Sequence, residues 1–423
     1  MSFGQVPAGA LPARHHPNRR TVTIREDFGR LALPARSRPF RGRGRSAMMG
    51  RMEAPLDRAA VEAALLPFGS SRMLPAQAYT DPAVLAWERR HLFAGTWTCV
   101  GRVGELGEGC TQRALTVGDV GVLLTFAADG VVRAFANVCR HRAHEILPDG
   151  ASNGRPAAVC PYHGWAFRLD GALATAPGMG PLDPAEFGLV ELPAAVWEGW
   201  LFVNSGAPAA PFEEHLGALD GLLRPYRMGS LQLGARHEYR VAANWKVMID
   251  NYHECYHCPL IHPELCKVSP PTSGDNWTMP GAWVGGSMDL RPHATTMSFD
   301  GTGPGNFIPD APRRTVLYVG LFPNLLVSAH PDYVMTHRLI PLEPGLTTIE
   351  CSWFFPEGTT ETAYAVDFWD LTNRQDWAAC ESVQRGLGSP HFVPGPLAPN
   401  EDAVYQWTTL VAEAYLGRGL RLT

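Results

Sequence analysis

Four residues in the first half of the chain have the types and spacing of a metal-binding site. Cys139 and His141 form C-R-H, and Cys160 and His163 form C-P-Y-H after 18 intervening residues. Two thiolates and two imidazoles, one of each on either loop, can hold a [2Fe–2S] cluster through Cys on one iron and His on the other. This mixed ligation raises the reduction potential well above that of an all-cysteine cluster. The pattern therefore predicts a protein that transfers single electrons.

Zinc is the alternative metal for the same four residues, because two Cys and two His also bind zinc tetrahedrally. The residue order favours the iron–sulfur cluster, since each loop places its Cys before its His, whereas zinc fingers usually group Cys with Cys. Pro161, Gly164 and Trp165 surround the second pair. They predict a tight loop that can turn backbone N–H groups toward sulfur.

A second candidate metal site lies in the segment N-W-K-V-M-I-D-N-Y-H-E-C-Y-H-C-P-L-I-H-P, residues 244–263. His257 and His262 are five residues apart, a spacing that does not align on an uninterrupted helix. Pro259 is expected to break the helix after His257, and Pro263 biases His262 toward an extended backbone. The chain can then fold back so that both imidazoles reach one metal.

Two His and one carboxylate with open positions form the facial triad of mononuclear iron oxygenases. His253 suits this triad less well, because on a helix it points about 100° away from Glu254. The carboxylate must come from elsewhere in the chain. A helix predicted over residues 361–386 offers Asp367, Asp370, Asp376 and Glu381.

Glu254 is predicted to lie one helical turn before His257, on the same face of the helix. A carboxylate in this position commonly accepts the free N–H of a metal-bound His. Asn251 is a further candidate for a supporting role beside the metal.

The elements expected around these residues indicate an α+β protein with a small all-β domain first. A helix begins at Asp81-Pro82 and ends at Gly95, and strands follow at 113–118, 120–126 and 131–136. Further strands are predicted at 197–203, 237–241 and within 314–355. Helices are predicted over 244–258, 361–386 and 401–416. We therefore expect a helical segment at 72–95, a β domain at 96–210 and an α+β domain at 211–423.

Composition is that of an ordinary globular protein without features for nucleic-acid or membrane binding. The 423 residues include 45% hydrophobic and 18% charged residues, and the formal net charge is −5. A net negative charge gives no reason to expect nucleic acid or an anionic membrane as partner. No apolar run reaches 18 residues, so no membrane span is expected. The odd count of nine cysteines favours a reducing compartment, the bacterial cytoplasm, with thiols kept for metal binding or packing.

Residues 1–51 differ from the rest of the chain because they carry eleven Arg against Glu26 and Asp27. An Arg-rich targeting peptide is one interpretation. A disordered leader, or sequence upstream of a start at Met48, Met49 or Met52, is the preferred one. We expect this leader to extend to residue 71.

The two metal-binding segments resemble those of Rieske non-haem iron oxygenases, in their large alpha subunit. C-R-H-R-A-H and C-P-Y-H-G-W-x-F are similar to the two cluster loops of that family, in which His144 is not a ligand. The resemblance covers roughly residues 72–420. It implies a Rieske [2Fe–2S] domain over 96–210 and a helix-grip catalytic domain, an antiparallel sheet with a long helix, over 211–423.

The resemblance also assigns the third ligand and an electron route. In that family the ligating Asp precedes a Glu by five residues, as Asp376 precedes Glu381 here. An acidic residue at the position of Glu254 bridges the mononuclear iron to a Rieske His of a neighbouring subunit in a trimer. Most aromatic-ring dioxygenases have Asp there, whereas this chain has Glu. The implied route runs from the cluster through His163, Glu254 and His257 to iron.

Several stretches are similar to the branch of the family that acts on quaternary ammonium compounds, including D-N-Y-H-E-C-Y-H-C-P-L-I-H-P-E-L and F-W-D-L-T-N-R-Q-D-W. This resemblance implies oxidation of glycine betaine or a related amine by O2, with electrons from a separate NAD(P)H-dependent flavin and iron–sulfur reductase. A trimethylammonium group would be held by aromatic faces. The candidates are Trp277, Trp283, Tyr318, Phe322, Tyr333 and Trp377. His330, His337 or Arg338 could bind a substrate carboxylate.

Two alternatives remain open at the level of the sequence. The first is a Rieske oxygenase of aromatic rings, which needs an apolar pocket without a cation cage. The second is an electron carrier that holds only the cluster.

Overall fold

The computed structural model describes residues 52–206 and 209–420, which form eleven α-helices and eighteen β-strands. The helices are α1 (Arg58–Ala64), α2 (Gln77–Thr80), α3 (Pro82–Glu88), α4 (Val103–Leu106), α5 (Phe212–Leu216), α6 (Leu219–Leu223), α7 (Trp245–Tyr252), α8 (Cys258–Ile261), α9 (Pro263–Val268), α10 (Ala363–Leu387) and α11 (Asp402–Tyr415). None of the helices in these ranges has the length and apolar character needed to cross a bilayer.

Eleven strands lie between residues 98 and 203, which we call the β module. They are β1 (Thr98–Arg102), β2 (Gln112–Val117), β3 (Val120–Phe126), β4 (Val132–Ala136), β5 (Ser152–Asn153), β6 (Ala157–Val159), β7 (Ala166–Arg168), β8 (Leu173–Thr175), β9 (Glu191–Leu192), β10 (Ala194–Trp197) and β11 (Trp200–Val203). They form three antiparallel sheets in the orders β5-β2-β3-β4-β9, β6-β7-β8 and β1-β11-β10. The hairpin expected between 120–126 and 131–136 is the β3–β4 pair.

Residues 212–420, which we call the C-terminal module, contain one seven-stranded antiparallel sheet and the longest helix. The strands are β12 (Gln232–Val241), β13 (Asp275–Trp277), β14 (Trp283–Asp289), β15 (Thr315–Leu321), β16 (Leu325–Ala329), β17 (Val334–Glu343) and β18 (Leu346–Phe355), in the order β12-β18-β17-β16-β15-β14-β13. The 25-residue helix α10 packs against β12 and α7. The predicted fold class, a β domain followed by an α+β domain with a long helix, is confirmed.

Helix α7 is held in register with α10 by side chains of α10 that bind the backbone just before α7 begins. Glu381 accepts a hydrogen bond from Ala242 N (3.1 Å), and Gln384 accepts one from Asn244 N (2.9 Å). Asn244 in turn caps α7 by accepting the N–H of Lys246. Because α7 leads to the two candidate His ligands and α10 carries Asp376, this register sets their separation.

The segment before the β module lies against α7 through a buried ion pair. Lys246 Nζ binds Glu88 Oε1 at 2.5 Å, and both side chains are almost fully buried. Trp245 and Tyr415 donate further hydrogen bonds to the same carboxylate. These donors satisfy a charge that would otherwise be costly to bury.

The expectation of a leader that extends to residue 71 is wrong for residues 52–71. Asp57 caps α1 by accepting the N–H of Ala60, and Val61 and Ala64 are buried in the core of the C-terminal module. Ala54 N also donates to Tyr415 O at 2.8 Å. The Asp cap before an apolar helical face was a usable signal in the sequence. The expectation for residues 1–51 lies outside the described residues.

Replacing Glu88 by Ala should lower the free energy of unfolding by about 3–5 kcal/mol, because Lys246 then keeps a buried charge without its partner. Chemical denaturation followed by tryptophan fluorescence measures this change. The matched control is Asp119→Ala, which removes the exposed partner of Arg90 and should cost less than about 1 kcal/mol. Equal losses in the two variants would contradict the importance of the buried pair.

Candidate metal centres

The two loops expected to hold the cluster have the same backbone conformation. Cys139 N donates to His144 O and Cys160 N donates to Trp165 O, both at 2.8 Å. Four residues after each Cys, the chain adopts a left-handed conformation, at Ala143 (φ 57°) and Gly164 (φ 72°). The two loops are therefore equivalent turns that present one Cys and one His each.

The side chains on these loops fit a bound cluster. Cys139 and Cys160 are buried, and their thiols lie close enough to interact directly. The ring of His141 stacks on Trp165, and its buried Nδ1 has no hydrogen-bond partner. A buried nitrogen without a partner is costly unless a ligand satisfies it, which is what iron would do. His163 is exposed, so this edge of the site faces the surface.

His144 serves the first loop through its backbone, because its carbonyl accepts the Cys139 N–H. Its exposed ring lies beside Tyr162. This placement agrees with the expectation that His144 does not ligate the cluster.

The second site is formed where α7 ends and the chain turns back. Helix α7 ends at Tyr252, earlier than expected, and His257 precedes α8 as its cap residue. His262 lies between α8 and α9 with φ −119° and ψ 65°. Pro259 and Pro263 each occupy the first turn of a short helix, where proline is favoured.

The expectation that Glu254 lies on a helix one turn before His257 is wrong. Glu254 lies in the turn after α7, where its carboxylate accepts the backbone N–H groups of Tyr256 and His257. The same carboxylate contacts His257 Nδ1 at 2.5 Å. The turn, and not the period of a helix, therefore brings the Glu254 carboxylate to the His257 ring.

His257, His262 and Asp376 converge on one point. Their three candidate ligand atoms all lie within 4.8 Å of one another. Asp376 Oδ1 is 2.8 Å from His262 Nε2 and 3.3 Å from His257 Nε2. Two imidazoles and one carboxylate in this arrangement fit a mononuclear iron with open coordination positions.

Neighbouring side chains orient both imidazoles for metal binding. His257 Nδ1 donates to Glu254, and His262 Nδ1 donates to Gln375 at 2.7 Å. A proton on Nδ1 leaves the lone pair of Nε2 directed at the shared point. Gln375, which precedes Asp376 on α10, was missed in the sequence, although its adjacency to a candidate ligand was a usable signal.

The other carboxylates considered for this site are engaged elsewhere. Asp370 binds Tyr239, His237 and Arg374, and Glu381 binds the backbone before α7. Asp367 is exposed on α10.

His253 lies outside the metal-binding group. Its Nδ1 lies 2.8 Å from Ile249 O, and its ring stacks on Trp407. The ring fills a space that a glycine leaves open, since a Cβ at Gly320 would lie 2.6 Å from His253 Cε1. Gly320 therefore allows the end of α7 to approach β15.

The electrostatics of the site favour a cation between its carboxylates. Burial alone would lower the pKa of His257, but hydrogen bonds and charges from Asp376 and Glu254 raise it to about 9. Burial would raise the pKa of Asp376, yet the two histidines hold it below its usual value. A divalent metal would experience the same attraction.

Cys255 and Cys258, which flank the turn that carries His257, form a disulfide with a Cα–Cα distance of 4.9 Å. The expectation that the cysteines are kept as thiols for metal binding or packing is therefore wrong for this pair. The turn after α7 brings the two Cα atoms within the range that a disulfide requires. The other seven cysteines are free.

A cavity of about 470 Å³ opens beside the metal-binding group and contains several aromatic side chains. Of the six aromatic residues predicted to line a cation cage, Tyr318 and Trp377 do so. Trp277, Trp283, Phe322 and Tyr333 are not among the lining residues, and they pack in or against the hydrophobic cores instead. Alternation along a strand does not show which face of the sheet meets the cavity and which meets the core.

Other cavity residues were missed, above all Tyr252 and Trp369. Tyr252 follows Asn251 at the end of α7, and Met248 lies one helical turn earlier and also lines the cavity. Helical spacing from Met248 to Tyr252 was the signal that could have identified this face. Asn251 lines the cavity too, as the sequence suggested for a supporting residue.

Of the candidates for binding a substrate carboxylate, only His337 lines the cavity. Arg338 forms a bidentate ion pair with Glu350 at 2.6 and 2.9 Å. His330 is fully buried against Tyr333, outside the cavity lining.

Comparison with family models matches the two modules separately. Residues 96–191 match the Rieske [2Fe-2S] domain, and residues 228–417 match the ring hydroxylating alpha subunit (catalytic domain). The domain boundaries expected from the sequence, 96–210 and 211–423, remain predictions.

Named relatives cover most of this chain. The carnitine monooxygenase oxygenase subunit of Acinetobacter baumannii is 33% identical over 335 residues, 74% of this chain and 84% of the relative. The glycine betaine monooxygenase oxygenase subunit of Chromohalobacter salexigens is 29% identical over 368 residues, which cover 76% of this chain and 81% of the relative. Chloroplastic choline monooxygenase of Atriplex hortensis is 29% identical over 346 residues, which cover 78% of this chain and 75% of the relative.

Solved structures share the fold over nearly their whole length. A quaternary ammonium Rieske monooxygenase in complex with gamma-butyrobetaine has a TM-score of 0.66 at 25% identity, covering 85% of this chain and 99% of its own. Naphthalene 1,2-dioxygenase from Rhodococcus has a TM-score of 0.65 at 19% identity, and the match covers 85% of this chain and 98% of the dioxygenase chain.

Replacing Asp376 by Ala should remove the mononuclear metal and leave the cluster intact. Protein reconstituted with iron should contain about three iron atoms per chain, and the variant about two. Metal analysis combined with the visible spectrum of the cluster measures both sites. Asp367→Ala, on the exposed face of the same helix, should retain about three. A full iron count in Asp376→Ala would exclude this carboxylate as a ligand.

Proposed function

The chain belongs to the Rieske non-haem iron oxygenase alpha subunits, in the branch of the quaternary ammonium monooxygenases, and from this membership we propose that it hydroxylates an N-methyl group of a quaternary ammonium compound. Carnitine, glycine betaine and choline monooxygenases are among its named relatives. The identity of the substrate, the reductase and the assembly with further copies of the chain are part of the proposal.

The observation that carries the proposal is the group of aromatic side chains that line the cavity beside the metal-binding group. Tyr252, Tyr318 and Trp377 line it and remain partly accessible. Tyr252 Oη donates to Val327 O, and Tyr318 Oη and Trp377 Nε1 are buried, so we take the rings rather than these polar atoms as the parts that meet a ligand. Ring faces are therefore available to the substrate. A quaternary ammonium group cannot donate hydrogen bonds and binds to such faces by cation–π attraction.

His257, His262 and Asp376 would hold the mononuclear iron beside these rings. When bound, such an iron activates O2 for insertion into a C–H bond. Glu254 and Gln375 keep the protons of both imidazoles on Nδ1, so that each Nε2 remains a ligand. The aromatic wall orients the ammonium group and excludes water from its methyl groups.

Electrons would reach this iron from a cluster in a second copy of the chain. We assign the route through His163 of the partner subunit to Glu254 and His257, within a homotrimer. Two features support it. His163 is exposed in the β module, and the segment that carries Glu254 also carries Tyr256 and Leu260, which are 63% and 90% exposed. A flavin and iron–sulfur reductase would supply the electrons from NAD(P)H.

Glycine betaine is the substrate to which the sequence pointed. The balanced reaction consumes O2, two electrons and two protons, and it yields water and an N-hydroxymethyl group. Cleavage of the C–N bond then releases formaldehyde, a proton and dimethylglycine. Hydroxylation of an aromatic ring is the less favoured alternative, since the acidic residues of the cavity, Asp275 and Asp402, are poorly suited to an arene.

The reconstituted protein, supplied with NADH and a competent reductase, should release formaldehyde from quaternary ammonium compounds in step with O2 uptake. Glycine betaine, stachydrine, carnitine and choline form the test panel, with naphthalene as the comparison substrate. Because choline can also be oxidised at its alcohol carbon, its consumption is followed by mass spectrometry. O2-dependent turnover of naphthalene but of none of the amines would refute the proposal.

Glu254→Gln should lower turnover by about 10–100-fold, because the amide loses the charge that interacts with His257 and that would bridge to the partner subunit. The visible spectrum of the cluster should stay unchanged, and the iron count separates a broken electron route from a lost metal. Glu357→Gln, an exposed surface change, is the control. Retention of turnover in Glu254→Gln would exclude this route.

A further inference from the structure

The charged side chains around the cavity all have the same sign. We propose that the cavity selects quaternary ammonium compounds with a net positive charge and a neutral polar group, and disfavours zwitterions that carry a carboxylate. This inference rests on the proposed function and narrows its substrate class. It predicts that glycine betaine binds more weakly than analogues in which a neutral polar group replaces the carboxylate.

Four carboxylates line the cavity, whereas no Lys or Arg does so among the described residues. With a divalent iron bound, Asp376 and Glu254 would balance its two positive charges. Asp275 and Asp402 remain, and neither takes part in a salt bridge within the described ranges. Asp402 accepts a hydrogen bond from the neutral amide of Asn276 at 2.6 Å, which leaves its charge in place.

The histidines of the cavity do not supply the missing positive charge. Burial lowers the pKa of His253 and of His337 to about 4, so both rings are neutral at physiological pH. His257 and His262 are committed to the metal. Arg338 is already paired with Glu350. A substrate carboxylate would therefore enter a site that offers it two like charges and no counter-charge.

The position of Asp275 and Asp402 suits a cation that enters from solvent. Asp275 is exposed on β13, at the edge of the seven-stranded sheet, and Asp402 lies in the first turn of α11, which contacts β13. Carboxylates at the opening of a cleft attract cations and repel anions before contact. The aromatic faces of Tyr252, Tyr318 and Trp377 then receive the ammonium group.

Neutral polar side chains complete the match. Asn251 and Ser287 line the same cavity and can exchange hydrogen bonds with a hydroxyl or an amide of the substrate. A hydroxyl gains from these partners without the desolvation cost of a carboxylate. Choline-like cations therefore fit the cavity better than betaines do.

The test uses substrates that differ in charge and hardly in shape. Glycine betaine is compared with its amide, which has the same number of heavy atoms and a net charge of +1, and with choline. Calorimetry on the iron-loaded protein should give Kd values at least about tenfold lower for the amide and for choline than for glycine betaine. Equal or tighter binding of glycine betaine would overturn the inference and leave the proposed function standing. Binding of none of the three would overturn both.

Charge-neutral variants test whether the acidic residues cause the selectivity. Asp402→Asn and Asp275→Asn, made separately, should each reduce the ratio between amide and glycine betaine by about threefold or more. Asp367→Asn, an exposed carboxylate of α10 outside the cavity, should leave the ratio unchanged. If Asp402→Asn fails to fold because the hydrogen bond to Asn276 is lost, Asp275→Asn still tests the inference. An unchanged ratio in both, with folded protein, would exclude these residues as the cause.

Discussion

The metal-binding group of the C-terminal module depends on the register between two helices. His257 and His262 follow α7, whereas Asp376 lies more than 100 residues later on α10. Glu381 and Gln384 hold the two helices in place by binding the backbone N–H groups of Ala242 and Asn244. A shift of one helical residue would move Asp376 by about 1.5 Å along the axis and by about 100° around it. The distances of 2.8 and 3.3 Å to the two imidazoles would then be lost.

Residues that act within one short segment could be predicted from the sequence, and residues that depend on tertiary packing could not. The Cys and His of the two cluster loops could be predicted because their spacing is local. Asp376 was found only through the spacing of a resembling family, since four carboxylates on one helix are equivalent in pattern. Most aromatic candidates for the cavity were wrong because Trp283 and Phe322 lie on strands or turns whose inner and outer faces look alike in sequence. The turn that carries Glu254 was also missed, because a helix was expected to continue through it.

The charge of the cavity lining depends on which of its histidines and carboxylates are ionised. Burial lowers the pKa of His253 and His337, which keeps both rings uncharged, whereas His257 and His262 hold the pKa of Asp376 below its usual value despite its burial. The protein thus combines a metal site that contains carboxylates with aromatic rings, and neither Lys nor Arg is among the described lining residues. Asp376 and Glu254 thus prepare the site for a metal, whereas Asp275 and Asp402 determine which ligands can approach it.

The contacts that Tyr415 of α11 makes with Ala54 and Glu88 have a consequence for the order of folding. Ala54 binds the backbone of Tyr415, and the hydroxyl of Tyr415 binds the buried Glu88, so contacts separated by more than 300 residues complete the surroundings of Lys246. Such long-range contacts form late, because a long loop must close first. The pairings of the β module all lie within residues 98–203 and impose no such delay. During synthesis, the strand pairings of the β module can therefore form early, whereas the surroundings of Lys246 are complete only after Tyr415 has left the ribosome.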